Sequence, residues 1–249
     1  MHNSDISIII TGPIDDRTFE SIDSYYDQGF EEVIVSTWKD EDLSLLNKTK
    51  KEYKLILSEY PENLNEINNQ GCRFFQAFTT WKGSRLVTKK YCIRARSDEL
   101  YPDLSAFVGN MRDNPKKVHT TDNGFWKMHK FCFSSHLFGG RTEVIKEGCF
   151  MMVLNAEKTF LDNIQLDYPE QCFGFYFLLA NGCDIRVNPW KQAFYENVFI
   201  TPCKDLPGHL HSGQSFTGYR FKRNTDYPDN RPDRHQKERL YQSCEEFLC

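Results

Sequence analysis

Short apolar runs alternate with helical spacings along the first half of the chain. Ile6 to Ile10 is a run rich in β-branched residues, closed by Thr11-Gly12-Pro13, which predicts a strand with a loop at its carboxyl end. From Asp16 to Gln28 the residues Phe19, Ile22 and Tyr26 recur every three to four positions, an amphipathic helix that Gly29 terminates. Glu32–Ser36 is the next strand, and Tyr53–Ser58 the third, after a charged segment with apolar residues at Leu43, Leu45 and Leu46. This βαβαβ order predicts an α/β fold whose mostly parallel central sheet is flanked by helices.

Beyond Pro61 the pattern predicts a helix over 63–81, a strand at Tyr91–Arg96 ending in Ser97-Asp98-Glu99, and a helix from Pro102 to about Met111. A polar loop follows, then a strand at Met128–Phe133 leading into Ser134-Ser135-His136-Leu137-Phe138-Gly139-Gly140. The second half is less regular. Pro169–Ala180 reads as a helix entered at its proline, with Phe173, Phe177 and Leu178 on one face. The segment from 224 onward is rich in proline and charge and reads as a surface extension. The expected organisation is one domain over 1–223, in two halves (1–110 and 111–223), followed by an irregular C-terminal extension over 224–249.

Composition narrows the classes. A net charge of −4, with Lys and Arg scattered, argues against a nucleic-acid partner. The apolar run at Ile6–Ile10 is too short for a signal-peptide core or a membrane span, so the expectation is a cytoplasmic protein without a transmembrane segment. The nine cysteines are odd in number and lack CxxC spacing, which indicates reduced thiols rather than a zinc site or a disulfide framework.

Ligands of open parallel sheets bind beyond the carboxyl ends of the strands, so the loops there are the informative positions. They hold Thr11-Gly12-Pro13-Ile14-Asp15, Ser36-Thr37-Trp38, Glu59-Tyr60 and Ser97-Asp98-Glu99. Together these supply close backbone approach, hydroxyls, an aromatic face and carboxylates, the parts needed to hold a nucleotide and a metal.

The segments IIITGPID, VIVSTWKDED, NQGCRFFQAFTTWKG and YCIRARSDELYPDL, with the later HLFGG and YPEQ, resemble the WavE-type glycosyltransferases of bacterial polysaccharide clusters and their relatives in large DNA viruses. The likeness runs from Ile6 to about Asn188. It implies a GT-A-like (Rossmann-like) fold, a nucleotide-sugar donor (a UDP-sugar favoured), a growing glycan as acceptor, and Mn²⁺ or Mg²⁺ held against the diphosphate by an acidic motif after the fourth strand. Asp98 occupies that place, although the usual motif has two aspartates one residue apart; the competing reading is a helix cap or a solvated strand end. Glu170, in the first turn of its helix, is the expected general base of an inverting transfer, against the reading that it only complements the helix dipole; Asp167 is the fallback.

His136, Gly139 and Gly140 would meet the donor sugar or the acceptor, with Ser135 standing where relatives often carry an acid. A packed structural histidine is the alternative. Thr11, Gly12, Pro13, Thr37, Trp38, Arg73 and Arg96 are the expected nucleotide-side residues, with Trp38 stacking on the base or merely packing, and Arg94 and Arg96 contacting phosphate or forming structural ion pairs. A late histidine, His211 or His209, would complete the metal site. The competing functions are a sugar nucleotidyltransferase and a catalytically inert carbohydrate-binding module.

Overall fold

A computed structural model describes residues 1–59, 71–123, 130–155, 160–161, 164–166, 169–185 and 189–209, with backbone alone at 71–73, 160–161 and 164–165. The run at Ile6 becomes β1 (Ile6–Thr11) and is followed by α1 (Asp16–Asp27), β2 (Glu32–Trp38), a short 3-10 turn at Leu43–Lys48 and β3 (Lys54–Ser58). Then come α2 (Gly71–Ser84), β4 (Tyr91–Arg96), α3 (Ser105–Asp113), β5 (Val118–Thr121), β6 (Leu137–Arg141) and α4 (Thr142–Leu154). A small β7–β8 ribbon (Phe160–Leu161, Ile164–Gln165), α5 (Pro169–Ala180), α6 (Trp190–Asn197) and β9 (Val198–Thr201) complete the described elements.

The central sheet has the order β3-β2-β1-β4-β6-β5-β9, in which β6 alone runs against the others. This is the expected α/β architecture, a mostly parallel central sheet flanked by helices. β1 is buried along its whole length because each face of the sheet is covered: Ile9 joins a core with Ala77, Phe138 and Phe173, while Ile8 and Ile10 join one with Ile22, Tyr25 and Phe107. On the first face α4 packs between α2 and α5. Asp15 caps α1 by accepting from the Arg17 amide at 2.9 Å, and Gly29, at φ +86°, turns the chain after its last turn.

Several expectations are corrected. The polar loop after α3 contains β5, and of the strand expected at Met128–Phe133 the described part, from Lys130, is irregular. The strand is instead Leu137–Arg141, so Gly139 and Gly140 lie inside it, paired with Ile93 and Cys92. Gly139 is there because a Cβ would sit 2.8 Å from the Cys92 carbonyl oxygen. The 224–249 extension lies outside the described residues. Among those residues no helix is long and apolar enough to cross a membrane.

Candidate functional site

The chain runs outward from β1 through β2 to β3, then returns to place β4 on the other side of β1, so the strand order reverses between β1 and β4. At such a point the two following loops part and leave a crevice. Thr11 is level with Arg96 in the parallel register, which puts the Gly12 loop and the Ser97–Glu99 turn side by side at the same end of the sheet. Gly12 adopts φ +129°, and a Cβ on it would lie 2.5 Å from the Ser97 hydroxyl oxygen. Its carbonyl accepts from the Thr37 hydroxyl at 2.8 Å, binding the second loop to the first.

Helix α1 fixes the turn after β4 by gripping three successive carbonyls. Thr18 Oγ1 donates to Ser97 O (3.2 Å), Arg17 Nη1 to Asp98 O (3.3 Å) and Ser21 Oγ to Glu99 O (3.0 Å). Arg17 was not expected at the site; its place in the first turn of the helix after β1 is the only sequence sign of it.

Two carboxylates of this turn lie on either side of the line between partial and full burial. Asp98, with 23% of its side chain exposed, accepts from Arg96 through both oxygens, Nε at 2.8 Å and Nη2 at 2.5 Å. Burial opposes the Arg96 charge, but Asp98 and Glu99 outweigh it and raise its pKa. Asp15 stands close enough to feel the charge on Asp98: burial first, and that repulsion after it, raise its pKa to about 6 against the hydrogen bond from Arg17.

Glu99 turns inward and is wholly buried. It pairs with His136 Nδ1, accepts from Tyr101 Oη at 2.5 Å, and lies 3.8 Å from Arg96 Nε. Burial alone would raise its pKa, but the His136, Arg96 and Tyr101 contacts outweigh that and hold it well below the ordinary carboxylate range. Ser135, next to His136, donates to Glu170 Oε1 at 3.1 Å, while the Phe133 amide donates to the Glu170 carbonyl at 3.1 Å. The antiparallel pairing of β6 with β4 brings this 133–136 segment to the carboxyl end of β4. Arg94 closes the arrangement from beneath: Nε donates to Thr11 Oγ1 at 2.6 Å, and Nη1 to the carbonyls of Ser135 and His136. Its burial lowers its pKa to about 10.

The structure therefore gathers Thr11, Gly12, Thr37, Arg96, Asp98, His136 and Glu170 around one end of the sheet. Gly139 and Gly140 are not among them: both are buried in β6, toward the amino end of β4, and the close approach they permit is to backbone. Trp38 is also a correction, because it is 8% exposed and packs against Phe75 and Phe78 of α2, the latter stacked at 6.0 Å, which makes it core rather than a platform for a base. Pro13 is partly exposed beside Gly12. His209 stacks on Tyr101 at 4.4 Å. The side chain of Arg73, and Tyr60, Asp167 and His211 entirely, lie outside the described residues.

The expected divalent cation finds a poor set of donors here. Both oxygens of Asp98 already serve a guanidinium, Glu99 is sealed in its own network, and the described residues contain no group of three or more His, Cys, Asp or Glu able to hold a metal ion. These residues do not fit a metal held by protein ligands alone.

No family model matches the chain, and no curated protein matches it. Among solved structures, HddC from Yersinia pseudotuberculosis is similar over 57% of this chain and 78% of that one, at 12% identity and a TM-score of 0.38. A mannosyltransferase, PcManGT from Pyrobaculum calidifontis in complex with GDP-Man and Mn²⁺, is similar over 57% of this chain and 45% of that one, at 16% identity and a TM-score of 0.40. Such likeness is one of general architecture and says nothing of donor or reaction.

Proposed function

We propose that this chain is a glycosyltransferase that moves a sugar from a nucleotide-activated donor, a UDP-sugar by preference, to a hydroxyl of a glycan. The observation that carries the reading is the meeting, at the point where strand order reverses, of a glycine-bearing loop, two guanidinium groups (Arg17 and Arg96) and a corner with proton-accepting side chains (His136 and Glu170).

Each part has work to do in an inverting transfer. Gly12 lets the nucleotide come close to backbone. Among the described residues, Arg17 and Arg96 are cations beside the crevice able to take up charge on the departing diphosphate, as planar guanidinium groups do well. Asp98 holds Arg96 in place through both nitrogens and so presets its direction. The acceptor hydroxyl loses a proton as it attacks, and the corner that His136, Ser135 and Glu170 form supplies the group that takes it up.

The test is a panel of nucleotide sugars (UDP-glucose, UDP-galactose, UDP-N-acetylglucosamine and GDP-mannose), each with and without Mn²⁺, read first by thermal shift and then by release of nucleoside diphosphate. A donor at 100 times its Kd raises stability by about 2.7 kcal/mol, an easily measured shift. Stabilisation with slow diphosphate release supports the transferase. Exchange of pyrophosphate into a nucleoside triphosphate identifies a nucleotidyltransferase instead, and silence toward every nucleotide refutes the proposal.

A further inference from the structure

We infer that the proton acceptor for the attacking hydroxyl is His136 Nε2, set and charged by the buried carboxylate of Glu99, and that Glu170 is not that group. The inference rests on the transferase reading above and assigns one of its roles.

The geometry fixes the state of the ring. Glu99 has no exposed surface and is held ionised, so its oxygens only accept. One accepts from Tyr101 and the other faces His136 Nδ1, which must therefore carry a proton. In neutral His136 the remaining nitrogen, Nε2, then bears the lone pair. No hydrogen bond engages Nε2 among the described residues, and the side chain is 15% exposed, so the ring keeps one nitrogen with a lone pair to take a proton while its other nitrogen is anchored. Glu170 differs: one of its oxygens is occupied by Ser135, and the chain around it serves to align the 130–135 segment with the start of α5 through Phe133 N to Glu170 O and Gln171 Nε2 to Lys130 O.

The step balances. The acceptor oxygen forms a bond to the anomeric carbon and passes its proton to Nε2. The bond from that carbon to the phosphate oxygen breaks, and its electron pair leaves with the nucleoside diphosphate. His136 ends as an imidazolium beside the Glu99 carboxylate, which favours the charge as it develops. The other groups around this pair are Arg96 at 3.8 Å from Glu99, Asp98 bound to Arg96, Tyr101, Arg94 beneath the His136 carbonyl, and Glu170 across Ser135. Arg94 and Arg96 oppose a second positive charge, so Glu99 is needed to offset them. Glu99 is thus a positioning residue and His136 the catalytic one.

Whichever nucleotide sugar of the panel the full chain turns over is the probe, with its steady-state release of diphosphate followed from pH 5 to 9. His136→Gln is expected to lower kcat by about 100- to 10,000-fold with KM for the donor nearly unchanged, and to abolish the fall in kcat on the acid side. Glu170→Gln retains that acid limb. Glu99→Gln lowers kcat with KM for the donor nearly unchanged, because the ring loses the carboxylate that orients it and offsets its developing charge. ¹⁵N chemical shifts of the wild-type ring should show Nδ1 protonated and Nε2 bare in the neutral form, a readout independent of turnover. Should His136→Gln keep the acid limb, or Nε2 carry the proton in the neutral ring, His136 is not the base, while the transferase reading stands on the wild-type turnover. A wild-type chain whose activity instead falls as pH rises through the histidine range makes His136 a cationic phosphate contact and overturns the assignment. Absence of turnover with every donor refutes the transferase reading and this assignment together.

Discussion

Replacing Gly12 by alanine tests the packing that shapes the crevice, and the outcome can be worked out in parts. The backbone at φ +129° is a region that L side chains rarely enter, at a cost of about 1–3 kcal/mol. The new Cβ would also stand 2.5 Å from Ser97 Oγ, and overpacking of this kind costs about 1–3 kcal/mol more. Gly12→Ala should therefore destabilise by about 2–6 kcal/mol in urea unfolding followed by tryptophan fluorescence. The second contribution resides in one oxygen atom, which is buried and has no hydrogen-bond partner among the described residues. Ser97→Ala alone should then be close to neutral, since it removes a buried polar atom that makes no hydrogen bond. In the double variant the nearest remaining contact is Ser97 Cβ at 3.6 Å, an ordinary separation, so only the backbone cost persists. The cycle should show a favourable coupling of about 1–3 kcal/mol, or roughly 2–12 °C in Tm for a chain of this size. Additivity within about 0.5 kcal/mol would refute the close approach of the two loops on which the crevice depends.

Two further outcomes probe the supporting core. His119 is 1% exposed on β5, with Nε2 against the Asn114 carbonyl at 3.0 Å, and burial pushes its pKa down from 6.5 to about 4. The unfolded chain binds the extra proton between those values, so stability is complete above pH 6.5 and declines by about 3 kcal/mol as pH falls to 4; equilibrium unfolding across this range should show that slope in the wild type and lose it in His119→Phe. Gly109→Ala in α3, where the new methyl group meets nothing closer than 3.9 Å, should stabilise by about 1 kcal/mol in thermal unfolding, whereas Gly174→Ala in α5 would drive a Cβ to 2.0 Å from the Phe131 carbonyl oxygen and should destabilise despite the same gain in helix propensity.

What the sequence revealed follows the range of the forces involved. β1, α1, β2, β4 and α5 announce themselves because each carries its own signal: an apolar run, a helical spacing, a glycine or a proline at the boundary. β5 and β6 do not. Val118-His119-Thr120-Thr121 is short, and Leu137–Arg141 contains two glycines, which weaken a strand on propensity grounds and are present here to admit the β4 backbone. α4 packs between α2 and α5, but its exposed polar residues are confined to Glu143, Lys146 and Glu147 in its first half, while its second half is apolar throughout. The side-by-side placement of the Gly12 loop and the Ser97–Glu99 turn beyond β1 and β4 was readable from strand order, and with it the position of Asp98 in that turn. Its partner was not: Arg96 lies two residues away, but nothing in the pattern separates a guanidinium that holds a carboxylate from one that meets phosphate. Glu99 was overlooked because its partner lies 37 residues along the chain and is delivered by an antiparallel pairing that the pattern did not reveal.

Arg94 has a consequence for how this molecule can change. A single buried side chain ties the end of β1, at Thr11, to the segment carrying Ser135 and His136. The two walls of the crevice are thus pinned to one rivet, and a drift in either is transmitted to its opposite. For the transferase proposed above, this means that recognition of the two substrates cannot be retuned one at a time, and a broadened choice of acceptor should arrive together with an altered grip on the donor.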